Sequence, residues 1–150
     1  MPSNEATNIA IVRRLIDGAF NGRHPSVIDE TWSDDLIWHG GSLGTFEGKA
    51  ALKKAFSANA TSAWSNMHLE IHEVIATADK VVMRFTNSGT NIGPFMGNPP
   101  TGKHAEWLGI GIYTIRDGRI TQGWFAEDIL STLTQLDVFP PPRGGNPAAR

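Results

Sequence analysis

Residues 97–116 read GNPPTGKHAEWLGIGIYTIR. The first eight are close to a phosphate-binding loop: a Gly, four residues, then Gly102-Lys103. The residues after the lysine decide the fold. A phosphate loop needs free backbone N–H groups and a helix whose N-terminus faces the anion. Pro99 and Pro100 each remove an N–H, and His104 stands where a Ser or Thr would hold magnesium. The run AEWLGIGIYTI alternates in polarity and is rich in β-branched residues, so it reads as a strand. Nucleotide binding is set aside, and 97–103 reads as a rigid loop between two long antiparallel strands. Phe95 and Met96, just before it, are wasted unless they pack. They would cap the mouth of a cavity or seal against the N-terminal helix, making the loop a lip.

Outward from this stretch the pattern stays in period two. Strands are expected at 67–77, 80–89, 104–116 and 119–127. The turns are Ala78-Asp79 and Asp117-Gly118, the latter a strong hairpin signal. Leu36 to His39 reads as a strand edge or bend before Gly40 and Gly41. Gly109 and Gly111 inside a strand suggest a bend or a close approach. Upstream the period changes. Ile9, Val12, Leu15 or Ile16, and Ala19 or Phe20 lie three to four apart and predict an amphipathic helix. A second short helix is expected over Pro25 to Trp32. A third spans Gly48 to Ala60, with Leu52 and Phe56 inward and Lys49, Lys53 and Lys54 wet. Asp128 to Asp137 reads as a last helix. Helices first and antiparallel strands after make an α+β pattern rather than βαβ. A long curved sheet with helices across its concave side leaves a cavity between them.

The chain has 150 residues, nine prolines and no cysteine. One domain is expected over 1–139, followed by a disordered tail, PPPRGGNPAAR, over 140–150. The lack of cysteine excludes disulfides, thiol catalysis and cysteine-ligated zinc. A formal net charge of -2 with no basic cluster argues against nucleic acid and against a polybasic membrane patch. No signal peptide and no membrane-length apolar run is visible, so a cytoplasmic protein is expected.

From Arg84 to Asp137 the sequence resembles the SnoaL-like polyketide cyclases of the nuclear-transport-factor-2-like superfamily. The matching pieces are Arg84, Gly89-Thr90, Gly93, Met96-Gly97, Pro99 to Lys103, Ile112-Tyr113, Asp117 to Ile120, Trp124, Asp128 and Gln135-Leu136. His39 and Gly48 also match, and the resemblance covers roughly residues 9 to 138. It implies a cone-shaped, curved antiparallel sheet with N-terminal helices enclosing a deep apolar pocket. It implies an aldol-type ring closure of a polyketide-like carbonyl substrate, without metal or organic cofactor. It also implies a homodimer or homotetramer packed through the sheet. The family's catalytic acid/base falls on Asp128. Its second catalytic group, a His in the penultimate long strand, has no counterpart, since strand 104–116 offers only His104 at its start.

The residues themselves give a further reading. Ile120, Gln122, Trp124, Ala126 and Asp128 share one parity. If Trp124 faces the cavity, Gln122 and Asp128 share that side, and Glu127 is wet. Asp128 is then a desolvated acid/base, or it caps the helix at Ile129. Arg84 and His39 would steady an oxyanion or pin a carboxylate. The alternatives are an outer-face contact for Arg84 and a structural role for His39. Trp38, Trp107, Tyr113, Phe95 and Met96 are candidate pocket walls for a small apolar aromatic or polycyclic carbonyl compound. His68, Glu70 and His72 share a strand face that looks outward rather than a metal site. Two rival functions share the fold: an epoxide hydrolase or isomerase, and a non-enzymatic ligand carrier or scaffold.

Overall fold

The computed structural model describes residues 4–139, so the expected tail at 140–150 lies outside the described residues. Helix α1 (Asn4–Leu15) buries Val12 and Leu15, and its last turns widen over Ile16–Asn21, where Ile16 and Ala19 continue the buried stripe. The three-to-four spacing read from the sequence is that stripe. Helix α2 (Ser26–Thr31) buries Val27, Ile28 and Thr31. Helix α3 (Lys49–Phe56) buries Leu52, Ala55 and Phe56, then widens over Ser57–Thr61. Helix α4 (Ile129–Gln135) comes after the last strand.

Six strands alternate with and succeed these helices: β1 (Trp32–His39), β2 (Thr45–Glu47), β3 (Trp64–Thr77), β4 (Lys80–Asn91), β5 (His104–Arg116) and β6 (Arg119–Glu127). The β5–β6 turn has positive φ at both Asp117 (51°) and Gly118 (77°), the backbone that the Asp-Gly pair favours. Leu36 to His39, expected as an edge or bend, is the end of an eight-residue strand.

The expected cone-shaped, antiparallel sheet is corrected on two points. The six strands form one open sheet in the order β2-β1-β6-β5-β4-β3, neither closed nor strongly curled. Closure would require the edge strands to pair in a staggered register. Here the three-residue β2 and the long β3 stand at opposite edges of the sheet. The sheet is also mixed, because β1 runs parallel to β6, with Trp38 opposite Gly123 and His39 opposite Trp124. The short helix α2 immediately precedes β1 in the chain.

One face of the sheet carries the core. Val81, Met83, Phe85 and Asn87 of β4 and Trp107 and Tyr113 of β5 all point inward and are buried. The helices pack over this face, and Val12, Leu15, Ile28, Leu52 and Phe56 join the same apolar cluster. A second cluster, Trp64, Phe95, Trp107 and Ile129, sits beside α4.

Candidate active site

Between the helices and the sheet lies an apolar cavity of about 80 Å³. Leu15, Phe20, Ile28 and Phe56 wall it on the helical side, and Trp38, Met83, Phe85, Tyr113 and Phe125 on the sheet side. Phe95 and Trp107 border it towards α4. Among the described residues lining it, Glu127 is the single carboxylate, and Lys, Arg and His are absent.

Glu127 reaches the cavity through a local irregularity. Thr114 pairs with Gln122 and Ile115 pairs with Ile120, so Thr121 is an extra residue in β6. A bulge of this kind reverses the faces of every later residue. Ile120 is buried, yet beyond Thr121 the inward residues are Gly123, Phe125 and Glu127 rather than Gln122, Trp124 and Asp128. Alternation counted from Ile120 therefore puts Asp128 on the cavity side, where the structure has Glu127.

Three neighbouring strands hold the carboxyl in place. Asn87 of β4 is opposite Trp107 of β5, and Gly109 of β5 is opposite Glu127 of β6. A side chain at Gly109 would overlap the tip of Phe85 and approach Glu127 Cγ to 3.0 Å. With no side chain there, Glu127 leans across Gly109. Its Oε1 accepts from Asn87 Nδ2 at 2.7 Å and from Trp107 Nε1 at 2.9 Å. Among the described residues, Oε2 has no partner.

Burial raises the Glu127 pKa above the usual glutamate value, and the two N–H donors only partly oppose this. The residue is half-buried and borders the cavity. Tyr113 is 1% exposed, and burial, reinforced by the Glu127 charge, pushes its phenol pKa upward. It stays protonated and can only donate or accept as a neutral hydroxyl.

The structure separates the sequence-derived candidates into two groups. Trp38, Trp107, Tyr113 and Phe95 line the cavity. Asp128, Arg84, His39, Gln122, Trp124 and Met96 do not. Asp128 is exposed and caps α4, its Oδ1 accepting from Ser131 N at 3.0 Å. Arg84 lies on the outer face beside Glu73, Nε to Oε2 3.3 Å. His39 stacks on Trp124, with centroids 3.7 Å apart, and Trp124 is 51% exposed on the outer face. Gln122 shares that face through the same bulge. Met96 is 40% exposed on the loop. His72, on the outer side of β3, hydrogen-bonds with Thr86 Oγ1 at 2.8 Å.

Sequence reasoning missed Glu127, Asn87, Phe85 and Phe125. The Gly109 and Gly111 gaps were a usable signal. They are filled by the chain's own Phe85 and Phe125 rings. As a cap, Asp128 contributes in the ordinary way: Asp128→Ala is expected to cost about 1 kcal/mol, measured as a shift in denaturant midpoint at unchanged slope.

The family model for SnoaL-like polyketide cyclases matches residues 10–136. The chain belongs to the SnoaL-like polyketide cyclase family. Among curated proteins, none matches. Solved structures do. A protein from Jannaschia sp. CCS1, assigned as a SnoaL-like polyketide cyclase, is 26% identical, with a TM-score of 0.82 over 94% of this chain and 99% of that one. TsrD from Streptomyces laurentii is 22% identical, with a TM-score of 0.78 over 92% of this chain and 100% of that one. IdmH from Streptomyces antibioticus, assigned as a polyketide cyclase, is 25% identical, with a TM-score of 0.73 over 87% and 99%. This SnoaL-like chain therefore shares its fold with proteins assigned as small-molecule enzymes. None of its helices is long and apolar enough to cross a membrane.

Proposed function

We propose that this SnoaL-like protein is an acid/base enzyme in which Glu127 moves a proton to and from carbon beside a carbonyl. One observation carries the reading: a lone carboxyl, with one oxygen anchored and the other unpartnered, at the edge of an apolar cavity. Desolvation strengthens a carboxylate as a base. Glu127 Oε2 takes the α-proton, the enolate carbon bonds to a second carbonyl carbon, and the new alkoxide recovers the proton from Glu127. Atoms and charge balance with no redox step, so an aldol-type ring closure needs no external reactant. Tyr113, Asn59 and the indoles of Trp32 and Trp38, not Arg84 or His39, are the donor-bearing side chains of the wall besides the committed Trp107 and Asn87. A hydrolase built on two carboxylates and an arginine finds only one acid and no cation among the described lining residues.

The cavity's size bounds the substrate. About 80 Å³ is below the roughly 150 Å³ of a cavity that holds benzene. Any aromatic compound therefore requires wall side chains such as Phe20 and Phe56 to move, and the movement needed is smallest for a single-ring or short-chain carbonyl compound. The direct test is deuterium uptake at the methyl group of acetophenone in D2O. Uptake faster than in buffer, and lost in Glu127→Gln, supports the reading. Equal uptake in both proteins removes Glu127 from it.

The outer sheet face supports a homodimer as part of the same reading. Leu108, Ile110 and Ile112 are 49%, 45% and 37% exposed, and Ile112 sits opposite the exposed Trp124. Such a run of apolar side chains on adjacent strands marks an association surface, and a two-fold axis through it buries the same patch twice. Light scattering is expected to give twice the chain mass for the wild type and the single-chain mass for Ile110→Arg. A monomeric wild type would end the dimer proposal.

A further inference from the structure

We infer that Asn87 Oδ1 is a substrate-binding acceptor that selects carbonyl compounds bearing a hydroxyl. This rests on Glu127 as the reacting acid and names the substrate class of the same site. Asn87 is 4% exposed and borders the cavity from the middle of β4. Its Nδ2 is committed to Glu127 Oε1 at 2.7 Å, and its Oδ1 has no hydrogen-bond partner among the described residues. A buried side-chain carbonyl without a donor is uncommon and costly.

Among the described residues, no neighbouring group relieves it. An ionised Glu127 can only accept. The Trp107 N–H is already spent on Glu127 Oε1 at 2.9 Å. The cavity walls nearest in register are Phe85 and the bare backbone of Gly109. The amide is also locked in orientation, because its N–H side must face the carboxylate for the 2.7 Å bond to form. The oxygen is thus fixed as an acceptor beside the reacting group.

Oδ1 is enclosed in the empty site, so a substrate hydroxyl, whether phenol, enol or alcohol, supplies the missing donor once the wall side chains move to admit the ligand. Seated on Oδ1, it holds the apolar body of the molecule against the Phe85 side of the wall and brings a carbon acid to Glu127 Oε2. An analogue with a methyl group in its place leaves Oδ1 unsatisfied, and sites built to hydrogen-bond a hydroxyl discriminate strongly against such analogues.

The test uses a size-matched pair, 3-hydroxyacetophenone and 3-methylacetophenone, with dissociation constants from calorimetry. The wild type is expected to bind the hydroxyl compound about five- to tenfold tighter. In Asn87→Leu, close in shape but without the acceptor, the preference should reverse to the methyl compound. In Glu127→Gln it should persist. Equal affinities, a methyl preference or no measurable binding of either compound by the wild type overturns the inference without recourse to a variant. A hydroxyl preference that survives in Asn87→Leu overturns it too, since the hydroxyl then sits elsewhere. Deuterium uptake at the methyl ketone of the same compounds reports separately on Glu127. Lost discrimination with Glu127-dependent uptake defeats only the Asn87 assignment. Discrimination without Glu127-dependent uptake defeats only the proton chemistry.

Discussion

Glu127→Gln is expected to slow proton exchange at carbon by about 10²- to 10⁴-fold while keeping the fold and the shape of the site. The glutamine carbonyl can still accept from Asn87 and Trp107, so the change removes the ionisable proton and little else. The same substitution has a signature in stability. Burial raises the Glu127 pKa in the folded state, so the folded protein holds this proton more tightly than the unfolded chain. Its favourable contribution is complete below the unfolded-state value and is lost as pH rises through the folded-state value. Above the folded-state value the wild type carries a desolvated charge that the glutamine variant lacks. The variant should melt higher there, and the gap should close towards pH 4. A variant less stable than the wild type in alkaline solution, with the gap unchanged in acid, would mean that Glu127 is held as a structural anion. The exchange rate in the wild type should rise with pH, with a midpoint above that of an ordinary glutamate.

Gly109→Val is the second large effect. The new side chain would overlap Phe85, which is buried at 1% exposure, and press on Glu127 Cγ. Overpacking of this kind costs about 1–3 kcal/mol, which for a domain of this size lowers the melting temperature by roughly 4–10 °C. The carboxyl is also pushed off its line to Trp107 and Asn87. A displacement near 1 Å lowers rates by about 10²-fold, so exchange should fall even at temperatures where the variant is folded. Calorimetric melting and exchange at 15 °C separate the two effects. An unchanged melting temperature would show that Phe85 yields freely and that Gly109 is not a packing requirement.

Much of the scaffold was legible in the chain. The spacing of Val12, Leu15, Ile16 and Ala19 is the buried stripe of α1 and its widened end. The alternation in 104–116 is β5, with Trp107, Gly109, Gly111 and Tyr113 on one face. Local chemistry sufficed because each signal lies within one element or one turn. The false phosphate loop was likewise settled locally, by two prolines and a strand where a helix was needed. The family resemblance, read from spaced motifs, agrees with the family model.

The sequence by itself determined the elements, their order and the family. Only the tertiary structure decided that the sheet stays open, that β1 joins β6 in parallel, and which side of β6 faces the cavity. Each of these depends on pairing between distant strands, and the last turns on a single unpaired residue, Thr121, within such a pair. Because strand faces repeat every two residues, that one insertion exchanges Asp128 for Glu127, Trp124 for Phe125 and Gln122 for Gly123 at the inner wall. On β1 the parallel pairing with β6 puts Trp38 inside and His39 against Trp124 outside. Local alternation carries no record of such a slip, since its cause is the hydrogen-bond register with β5 and not any property of the residues on β6.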